Sequence, residues 1–315
     1  MAGFRYANLS FFEKILLLLG LVIVLLYSYG LWLVKDNNPK GFYLMLGLGL
    51  MSFIFIYRSI TARGRQRRAI LKQAFPQKWK DILNKKVRFY KKLNPTQKKE
   101  FEKDIQVFLS EIKITGVKTE VDETLGLLIA ASAVIPIFGF KSWTYTRLKE
   151  VLVYPRAFKQ DFLNSDEGGG VLGMVGDGIL SQVVILSKPA IIQGFASQGD
   201  GHNTAIHEFV HLIDGADGEF DGIPALMDQK FVLPWLDLIH REMDDIEDRR
   251  SKLRPYGATN KQEFFAVASE FFFERPQDLK HHHPKLYQML SQIFRQDLKE
   301  QMLPSAWRKR RRRRP

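Results

Sequence analysis

The sequence predicts an α+β protein that is mostly helical, has a small sheet, and is preceded by a hairpin of two transmembrane helices. Residues 1–57 contain two long apolar runs without a charge. Residues 150–155 (EVLVYP) and 182–186 (QVVIL) are short, rich in branched side chains and bounded by helix breakers, which is typical of strands. The flanking segments carry apolar residues at helical spacing, and helices, strands and helices in this order are typical of the α+β class.

Composition excludes several classes of protein. The chain has 315 residues, of which 45% are apolar and 26% charged, so neither wholesale disorder nor a polytopic membrane protein fits. It has no cysteine, which excludes a disulfide scaffold, a thiolate metal site and a cysteine nucleophile. The net charge is +13, but seven of these charges belong to residues 308–314, which leaves +6 for the remaining chain. The basic balance is therefore largely a property of the tail.

The two apolar runs have the lengths of membrane spans. Residues 15–34 are 20 uncharged residues, which form about 30 Å of helix, the thickness of a bilayer core. Residues 41–57 are 17 uncharged residues, near the lower limit, and residues 35–40 (KDNNPK) form a polar turn between the runs. A cleaved signal peptide is the alternative for the first run, but the run is long for one and no small-residue cleavage site follows it.

Positive charges give the hairpin an orientation. Five arginines lie within residues 58–68, whereas the turn holds only Lys35 and Lys40. Positive residues stay on the cytoplasmic side, so both termini and the body of the chain are expected there. The predicted organisation is a transmembrane hairpin (1–57), a basic juxtamembrane linker (58–72), a globular domain (73–300) and an Arg-rich tail (301–315).

A third uncharged run could change the predicted topology if it crossed the membrane. Residues 124–140 are 17 residues without a charge, and a third span here would place the rest of the chain outside. Because Pro136 and three small residues interrupt the run, we predict a buried core helix that ends near Pro136. Another helix is expected to start at Asn94-Pro95, and the segment 167–170 (EGGG) and the glycines at 173, 176 and 178 are expected to form turns.

Residues 207–211 carry the chemistry-bearing motif, His-Glu-Phe-Val-His. On a helix, His207 and His211 are four residues apart and face the same way, so both imidazoles can bind one metal ion. Glu208 lies beside them, where it can act on a metal-bound water. The alternative is a pair of hydrogen-bonded core histidines on an amphipathic helix.

A catalytic zinc site needs a third protein ligand, and the spacing leaves two sources open. Asp217 lies six residues after His211, but the glycine that would turn the chain is at 215 rather than 214. Glu263 and Glu270, seven residues apart, can present two carboxylates from one helical face. Glu263 can also serve in an N-terminal cap with Asn260.

Two further features have less specific interpretations. Asp214, three residues after His211, can either accept the spare N–H of a ligand histidine or end the helix next to Gly215. The run at 281–283 is three histidines, whose adjacent side chains diverge, so we predict that they are solvated rather than metal ligands.

Several motifs together resemble one known family. HEFVHLIDGADGEFDGIP is followed about fifty residues later by KQEFFAVASEFFFERP. LNPTQKKEF, VIPIFG, EVLVYPRAF and VVILS accompany them between roughly residues 73 and 296. In this order the pieces resemble the Mlc titration factor A (MtfA) family of zinc metallopeptidases, which has a gluzincin-like catalytic core. The resemblance therefore implies a zincin-like domain. The hairpin departs from the soluble members, so their soluble partners are not carried over.

The resemblance implies roles for five residues. His207, His211 and Glu263 would ligate one Zn²⁺ ion, Glu208 would be the catalytic acid/base, and Tyr256 would be the active-site tyrosine that stabilises the oxyanion. The alternative for Tyr256 is an aromatic residue that packs on the core. By analogy, residues 183–186 are expected to form an edge strand that pairs with an extended peptide.

The resulting hypothesis is a membrane-anchored zinc peptidase at the inner membrane of a bacterial cell, facing the cytoplasm and acting on a peptide or protein substrate. The alternative is a zinc-containing regulatory protein that sequesters a partner such as a transcriptional regulator. Residues 308–314 are expected to contact anionic lipid, if they have a partner. A nucleic-acid partner is not favoured, because the only aromatic residue next to this run that could stack on a base is Trp307.

Overall fold

The computed structural model describes residues 11–33, 39–140, 143–156, 173–175, 182–197 and 199–298. They divide into two compact units, Met1–Ala74 and Phe75–Pro315. The predicted glycine turns at 167–170, 176 and 178, the turn at 35–38 and the basic tail at 308–314 lie outside the described residues.

The first unit consists of two helices, α1 (Phe11–Leu33) and α2 (Pro39–Ile70). Gly49 of α2 lies so close to Tyr27 of α1 that an added Cβ would be 3.2 Å from the tyrosine ring. One segment, Lys40–Ile70, is long and apolar enough by length and composition to cross a membrane, and Gly20–Leu33 is a shorter apolar segment. These helices are compatible with the predicted hairpin. The basic segment 58–72, predicted as a linker, is helical as far as Ile70.

Helices dominate the second unit. They are α3 (Gln77–Lys86), α4 (Arg88–Lys92), α5 (Pro95–Glu111), α6 (Glu123–Ile137), α7 (Lys188–Ala196), α8 (Thr204–Asp214), α9 (Val232–Glu247), α10 (Lys261–Glu274), α11 (Pro276–His282) and α12 (Pro284–Ile293). Two short 3₁₀ helices, Gln229–Phe231 and Pro255–Ala258, precede α9 and α10. With the small sheet, this architecture confirms the predicted α+β class.

Local signals set several helix ends. The start of α5 at Pro95 was predicted, and Asn94 and Gln97 form a reciprocal capping box there, with the Gln97 N–H donating to Asn94 Oδ1 at 2.9 Å. Asn203 caps α8 by accepting from the Ile206 N–H at 3.1 Å. These caps satisfy backbone donors that have no partner within the helix.

The third uncharged run is the core helix α6, as predicted. Twelve of its residues are buried, and it ends at Ile137, one residue after Pro136. The Gln296 side chain donates to the carbonyl oxygens of Ile135 (2.9 Å) and Pro136 (3.3 Å) in the last turn of the helix. Gly139 lies against the same segment, where an added Cβ would be 2.0 Å from the Phe294 carbonyl oxygen. The helix is therefore anchored at its carboxyl end to the segment after α12.

The sheet has four strands among the described residues, in the order β1 (Lys113–Gly116), β2 (Glu150–Tyr154), β4 (Val183–Ser187), β3 (Gly173–Val175). β1, β2 and β4 are parallel, and β3 is antiparallel to β4. β2 and β4 confirm the two predicted strands, and their valines at 151, 153 and 184 are fully buried.

Two predictions for the sheet are wrong. Gly173 begins the strand β3 instead of forming a turn. The segment 183–186 is not an edge strand, because β2 pairs with one side of β4 and β3 with the other. The burial of β4 explains its interior position. Four of its five residues are buried, and a continuous apolar run is typical of an interior strand. Among the strands that the structure describes, β3 is the edge on this side of the sheet.

Candidate metal centre

The helix α8 brings His207, Glu208 and His211 together in the interior. The two imidazoles lie one helical turn apart, with ring centres separated by 4.7 Å and Nε2 atoms by 3.1 Å. All three side chains are buried. The helix as a whole lies in the core, where its apolar residues Ala205, Ile206, Phe209 and Val210 are fully or almost fully buried. The two rings therefore present the same nitrogen to one point.

Glu263 reaches this point from the first turn of α10. Its backbone N–H donates to the Asn260 side chain at 2.8 Å, so Asn260 is the helix cap. Its carboxylate lies 3.0 Å from His207 Nε2 and 3.6 Å from His211 Nε2. The two roles considered for Glu263 are thus compatible, because the cap uses its backbone and leaves its side chain free.

His207, His211 and Glu263 fit a metal ion. A tetrahedral zinc site with bonds of about 2.0–2.1 Å places its ligand atoms about 3.3 Å apart. The three contacts of 3.1, 3.0 and 3.6 Å are close to that value. Two imidazole nitrogens and a carboxylate oxygen are also a donor set that suits zinc, with a fourth position for water or substrate.

The charges around the histidines favour a cation. Burial lowers the pKa of His207, but hydrogen bonds to Glu263 and Glu270 outweigh it and raise this pKa to about 10. Burial raises the pKa of Glu263 and the two histidines lower it, so that the net pKa is well below the usual range. Burial raises the pKa of Glu208, which is only 5% exposed. Three carboxylates thus surround two imidazoles, and a divalent ion can replace the proton on His207.

Glu270 holds the other side of the His207 ring. Its Oε1 lies 2.8 Å from His207 Nδ1, and the carboxylate is 1% exposed. This arrangement directs Nε2 towards the metal position, because the Nδ1–H group of His207 donates a hydrogen bond to the Glu270 carboxylate. The seven-residue spacing of Glu263 and Glu270 indicated that both carboxylates could face α8. In the structure they contact opposite edges of the His207 ring, Glu263 at Nε2 and Glu270 at Nδ1.

Tyr256 lies beside the histidines in the 3₁₀ helix Pro255–Ala258. Its ring centre is 6.1 Å from that of His207, and the residue is 51% exposed. An aromatic residue that packs on the core would be buried, so the exposure does not support that alternative. Partial burial and the carboxylates of Glu263 and Glu208 raise the pKa of Tyr256, which keeps its hydroxyl protonated.

The two aspartates near the helix end have other partners. Asp217 is exposed and accepts from the Glu219 N–H at 3.1 Å, so it does not join the group of His207, His211 and Glu263. Asp214 is fully buried at the end of α8 and accepts from the Gly222 N–H at 3.1 Å. Burial raises the pKa of Asp214 to about 7. Of the two interpretations of Asp214, the structure favours the helix-end role.

The histidine run at 281–283 is only partly solvated. His281 and His282 are exposed, as predicted. His283 is 8% exposed, and its Nδ1 lies 2.7 Å from Glu242 Oε2, so the prediction of a solvated residue was wrong there. The run ends where α11 gives way to α12, and this change of direction turns the third side chain inward.

Sequence reasoning missed Arg254, which forms an ion pair with Glu270. It also missed Glu274, which accepts from the Gly199 N–H at 3.2 Å and from Asn203 Nδ2 at 3.3 Å. Glu274 lies one helical turn after Glu270, and this spacing could have indicated a shared face with it. Arg254 carries no comparable local signal.

Comparison with known proteins identifies the family. Residues 61–295 match the family described as glucose-regulated metallo-peptidase M90. The chain belongs to this family. It is also 32% identical over 270 residues to the protein slr2042 of Synechocystis, a match that covers 81% of this chain and 96% of the relative. Mlc titration factor A of Salmonella agona is 29% identical over 216 residues, covering 63% of this chain and 79% of the relative.

The match confirms the resemblance to the MtfA family. Mlc titration factor A of Salmonella typhi is likewise 29% identical over 218 residues. The M90 family is a family of metallopeptidases, so membership implies a metal ion and a metallopeptidase-like role. The M90 match begins at residue 61 and includes α8 and α10, which carry the three candidate ligands.

Proposed function

We propose that this M90 protein is a membrane-anchored zinc peptidase that hydrolyses peptide bonds with Glu208 as general acid/base. The observation that carries the proposal is the convergence of His207, His211 and Glu263 beside the buried Glu208. Membership of a metallopeptidase family supports it.

Glu208 and Tyr256 would act on the reacting groups. When bound, zinc would lower the pKa of a water molecule and polarise the substrate carbonyl. Glu208 would take a proton from the attacking water on its carboxylate and return it to the leaving amine. Its raised pKa suits this exchange, since a carboxylate that titrates nearer neutrality both accepts and releases a proton. The Tyr256 hydroxyl would donate a hydrogen bond to the carbonyl oxygen as negative charge develops there.

The edge strand β3 offers a place for the substrate backbone. It pairs with β4 on one side, in the register Met174 with Ile185, and no other strand of the described part of the chain pairs with its other side. An extended peptide can add to a sheet edge through main-chain hydrogen bonds. We propose β3, rather than β4, as the strand that receives the peptide.

The proposed location is the inner membrane of a bacterial cell, with the second unit in the cytoplasm. The apolar segment Lys40–Ile70 supports a membrane anchor. The arginines that follow residue 57 support the orientation. Residues 308–314 would add contacts with anionic lipid.

Glu208→Gln separates catalysis from metal binding. The substitution keeps the size of the side chain but removes the base, so we expect one zinc per chain and no peptide hydrolysis. Metal content and casein hydrolysis of the full chain, purified in detergent, measure both. Glu247→Gln is the matched control, because Glu247 is exposed at the end of α9 and should keep full activity. Wild-type hydrolysis in the Glu208→Gln variant would contradict the proposal.

A regulatory role is the second candidate. The name of the Salmonella relatives states that they titrate Mlc, and a protein that sequesters a partner could keep the fold and the metal without catalysis. The same variant separates the two functions in cells. If Glu208→Gln retains full cellular function, sequestration is the function; if it behaves as a deletion, hydrolysis is.

A further inference from the structure

The carboxylate of Glu270 is held by three groups from three parts of the chain. Oε1 contacts His207 Nδ1 at 2.8 Å and forms the ion pair with Arg254. Oε2 accepts from the backbone N–H of Asn203, the cap of α8, at 2.6 Å. Glu270 therefore lies where the metal-binding helix, α10 and the segment before Tyr256 meet.

The charges of these contacts are unequal. A histidine that binds a cation through Nε2 is neutral and keeps its proton on Nδ1, and a backbone N–H is also neutral. Among the contacts that the described residues make with Glu270, Arg254 is then the group with a full positive charge. A buried carboxylate without a cation is strongly destabilised. In the metal-bound protein, Arg254 thus supplies the positive charge that faces the buried Glu270 carboxylate, because its guanidinium is always charged.

Arg254 also lies next to the proposed oxyanion donor. It is two residues before Tyr256 and precedes the 3₁₀ helix Pro255–Ala258. That helix packs closely on its neighbours, since a Cβ added to Gly257 would be 3.3 Å from side-chain atoms of both Ile246 and Val267. The ion pair joins this segment to α10 at the level of the His207 ring.

We propose that Arg254 is a positioning residue of the metal site. It holds the Glu270 carboxylate, which orients the His207 ring, and it fixes the segment that carries Tyr256. The inference rests on the proposed function, because it takes His207 as a metal ligand. Nothing in it requires Arg254 to touch the metal or the substrate.

Zinc affinity of the full chain, purified in detergent, tests the role without recourse to activity. We expect Arg254→Met to weaken zinc binding about tenfold or more, the size of effect that outer-shell partners have. Arg254→Lys should recover part of the loss, because lysine keeps the charge but not the two-pronged geometry. Competition with a chromophoric chelator measures the affinity, and circular dichroism verifies that each variant is folded.

Arg250→Met is the matched control. Arg250 lies four residues earlier and also forms ion pairs, with Asp245 at 2.7 Å and with Asp248 at 2.5 Å. Its side chain is 62% exposed, whereas that of Arg254 is 30% exposed. Loss of this guanidinium removes the same charge from the chain and should leave the zinc affinity unchanged.

A double-mutant cycle tests whether Arg254 acts through Glu270. If it does, Arg254→Met combined with Glu270→Gln should bind zinc within about twofold of the weaker single variant, because coupled residues are not additive. Fully additive losses would overturn the role. So would an Arg254→Met variant that unfolds at a lower temperature but binds zinc as tightly as the wild type.

A failure of the proposed function would look different. In that case the wild-type chain itself would bind no stoichiometric zinc, before any substitution is made, and both proposals would be overturned together. Tight zinc binding by the wild type with an unchanged Arg254→Met variant would overturn the positioning role alone.

Discussion

At the scale of single residues, α10 carries three carboxylates that differ in how their charge is balanced. Glu263 faces two imidazoles, and Glu270 faces one imidazole and Arg254. Glu274 accepts its hydrogen bonds from two neutral groups, the Gly199 N–H and the Asn203 side chain. Burial raises the pKa of Glu274 to about 7, although the hydrogen bonds from Asn203 and Gly199 lower it. Burial also raises the pKa values of Glu263 and Glu270, but their contacts with the histidines, and for Glu270 with Arg254, outweigh burial and lower both pKa values.

The raised pKa of Glu274 predicts a pH-dependent stability. Between its ordinary pKa of 4.5 and its folded value of about 7, the folded state binds more protons than the unfolded state. The free energy of unfolding therefore falls as the pH rises through this window. The glutamine of Glu274→Gln is neutral at every pH. At pH 5 the variant should therefore have about the same free energy of unfolding as the wild type, and at pH 8 it should be more stable than the wild type by on the order of 2 kcal/mol.

Thermal unfolding of both proteins at fixed zinc concentration measures this difference. Zinc binding is itself pH-dependent, but the comparison of two variants at each pH removes that contribution. Glu247→Gln, at an exposed position, should show no such pH-dependent gain. A constant difference between wild type and Glu274→Gln at every pH would show that Glu274 does not titrate in this window.

Tyr256 predicts a second effect at the residue scale. If its hydroxyl stabilises the oxyanion, Tyr256→Phe should lower kcat by about 10²–10³ while KM changes little, as for other oxyanion donors. The residue is half-exposed, so stability and zinc content should stay those of the wild type. Steady-state kinetics on a chromogenic peptide check this, and an unchanged kcat would remove Tyr256 from the mechanism.

At the scale of elements, Gly222 connects the ends of α8, α9 and α10. Its N–H donates to Asp214 at the end of α8, and its carbonyl oxygen accepts from Trp235 Nε1 of α9 at 2.7 Å. Its φ is +77°, and an added Cβ would be 2.5 Å from the carbonyl oxygen of Lys261, the first residue of α10. Because Glu263 follows two residues later, the contact helps to set the distance between the ligand carboxylate and the histidines.

Gly222→Ala is expected to destabilise the protein by about 2 kcal/mol or more, since the substitution combines an unfavourable φ with a backbone clash. It should also weaken zinc binding, because relief of the clash moves the start of α10. Gly126→Ala is the matched control. Gly126 lies within α6 with open space around its missing Cβ, so alanine should be neutral or stabilising by about 0.5–1 kcal/mol. Equal unfolding midpoints for the two variants would contradict this account of Gly222.

At the scale of the whole molecule, the two units use apolar side chains in opposite ways. Leu18, Leu26, Leu44 and Phe55 of the first unit are exposed by 62–72%. In the second unit, by contrast, Phe101, Phe209, Phe264 and Trp235 are fully buried in the core. An exposed apolar surface of that extent is compatible with the proposed location of these helices in a bilayer.

The absence of cysteine makes the membrane topology directly testable. A single cysteine at Asn38, between the two predicted spans, should react with a membrane-impermeant thiol reagent in spheroplasts. A cysteine at the exposed Gln277 should react only after lysis, and the cysteine-free wild type gives the background. Labelling of Gln277→Cys in intact spheroplasts would reverse the predicted orientation.

The sequence by itself determined the features that depend on neighbouring residues. The capped start of α5, the buried helix α6, the strands β2 and β4, and the one-turn spacing of His207 and His211 all follow from periodicity and capping. These patterns arise within a few residues, where backbone geometry fixes which side chains share a face.

The tertiary structure alone decided the partners of those features. Glu270 lies 63 residues from His207 in the chain and reaches its Nδ1 only because α10 packs on α8. In the same way, the pairing of the described strands placed β4 inside the sheet and β3 at its edge. His283 lies in the interior, where its Nδ1 contacts the Glu242 carboxylate. A buried polar group takes whichever partner the packing brings within hydrogen-bond distance, and contacts so far apart along the chain leave no periodic signal in it.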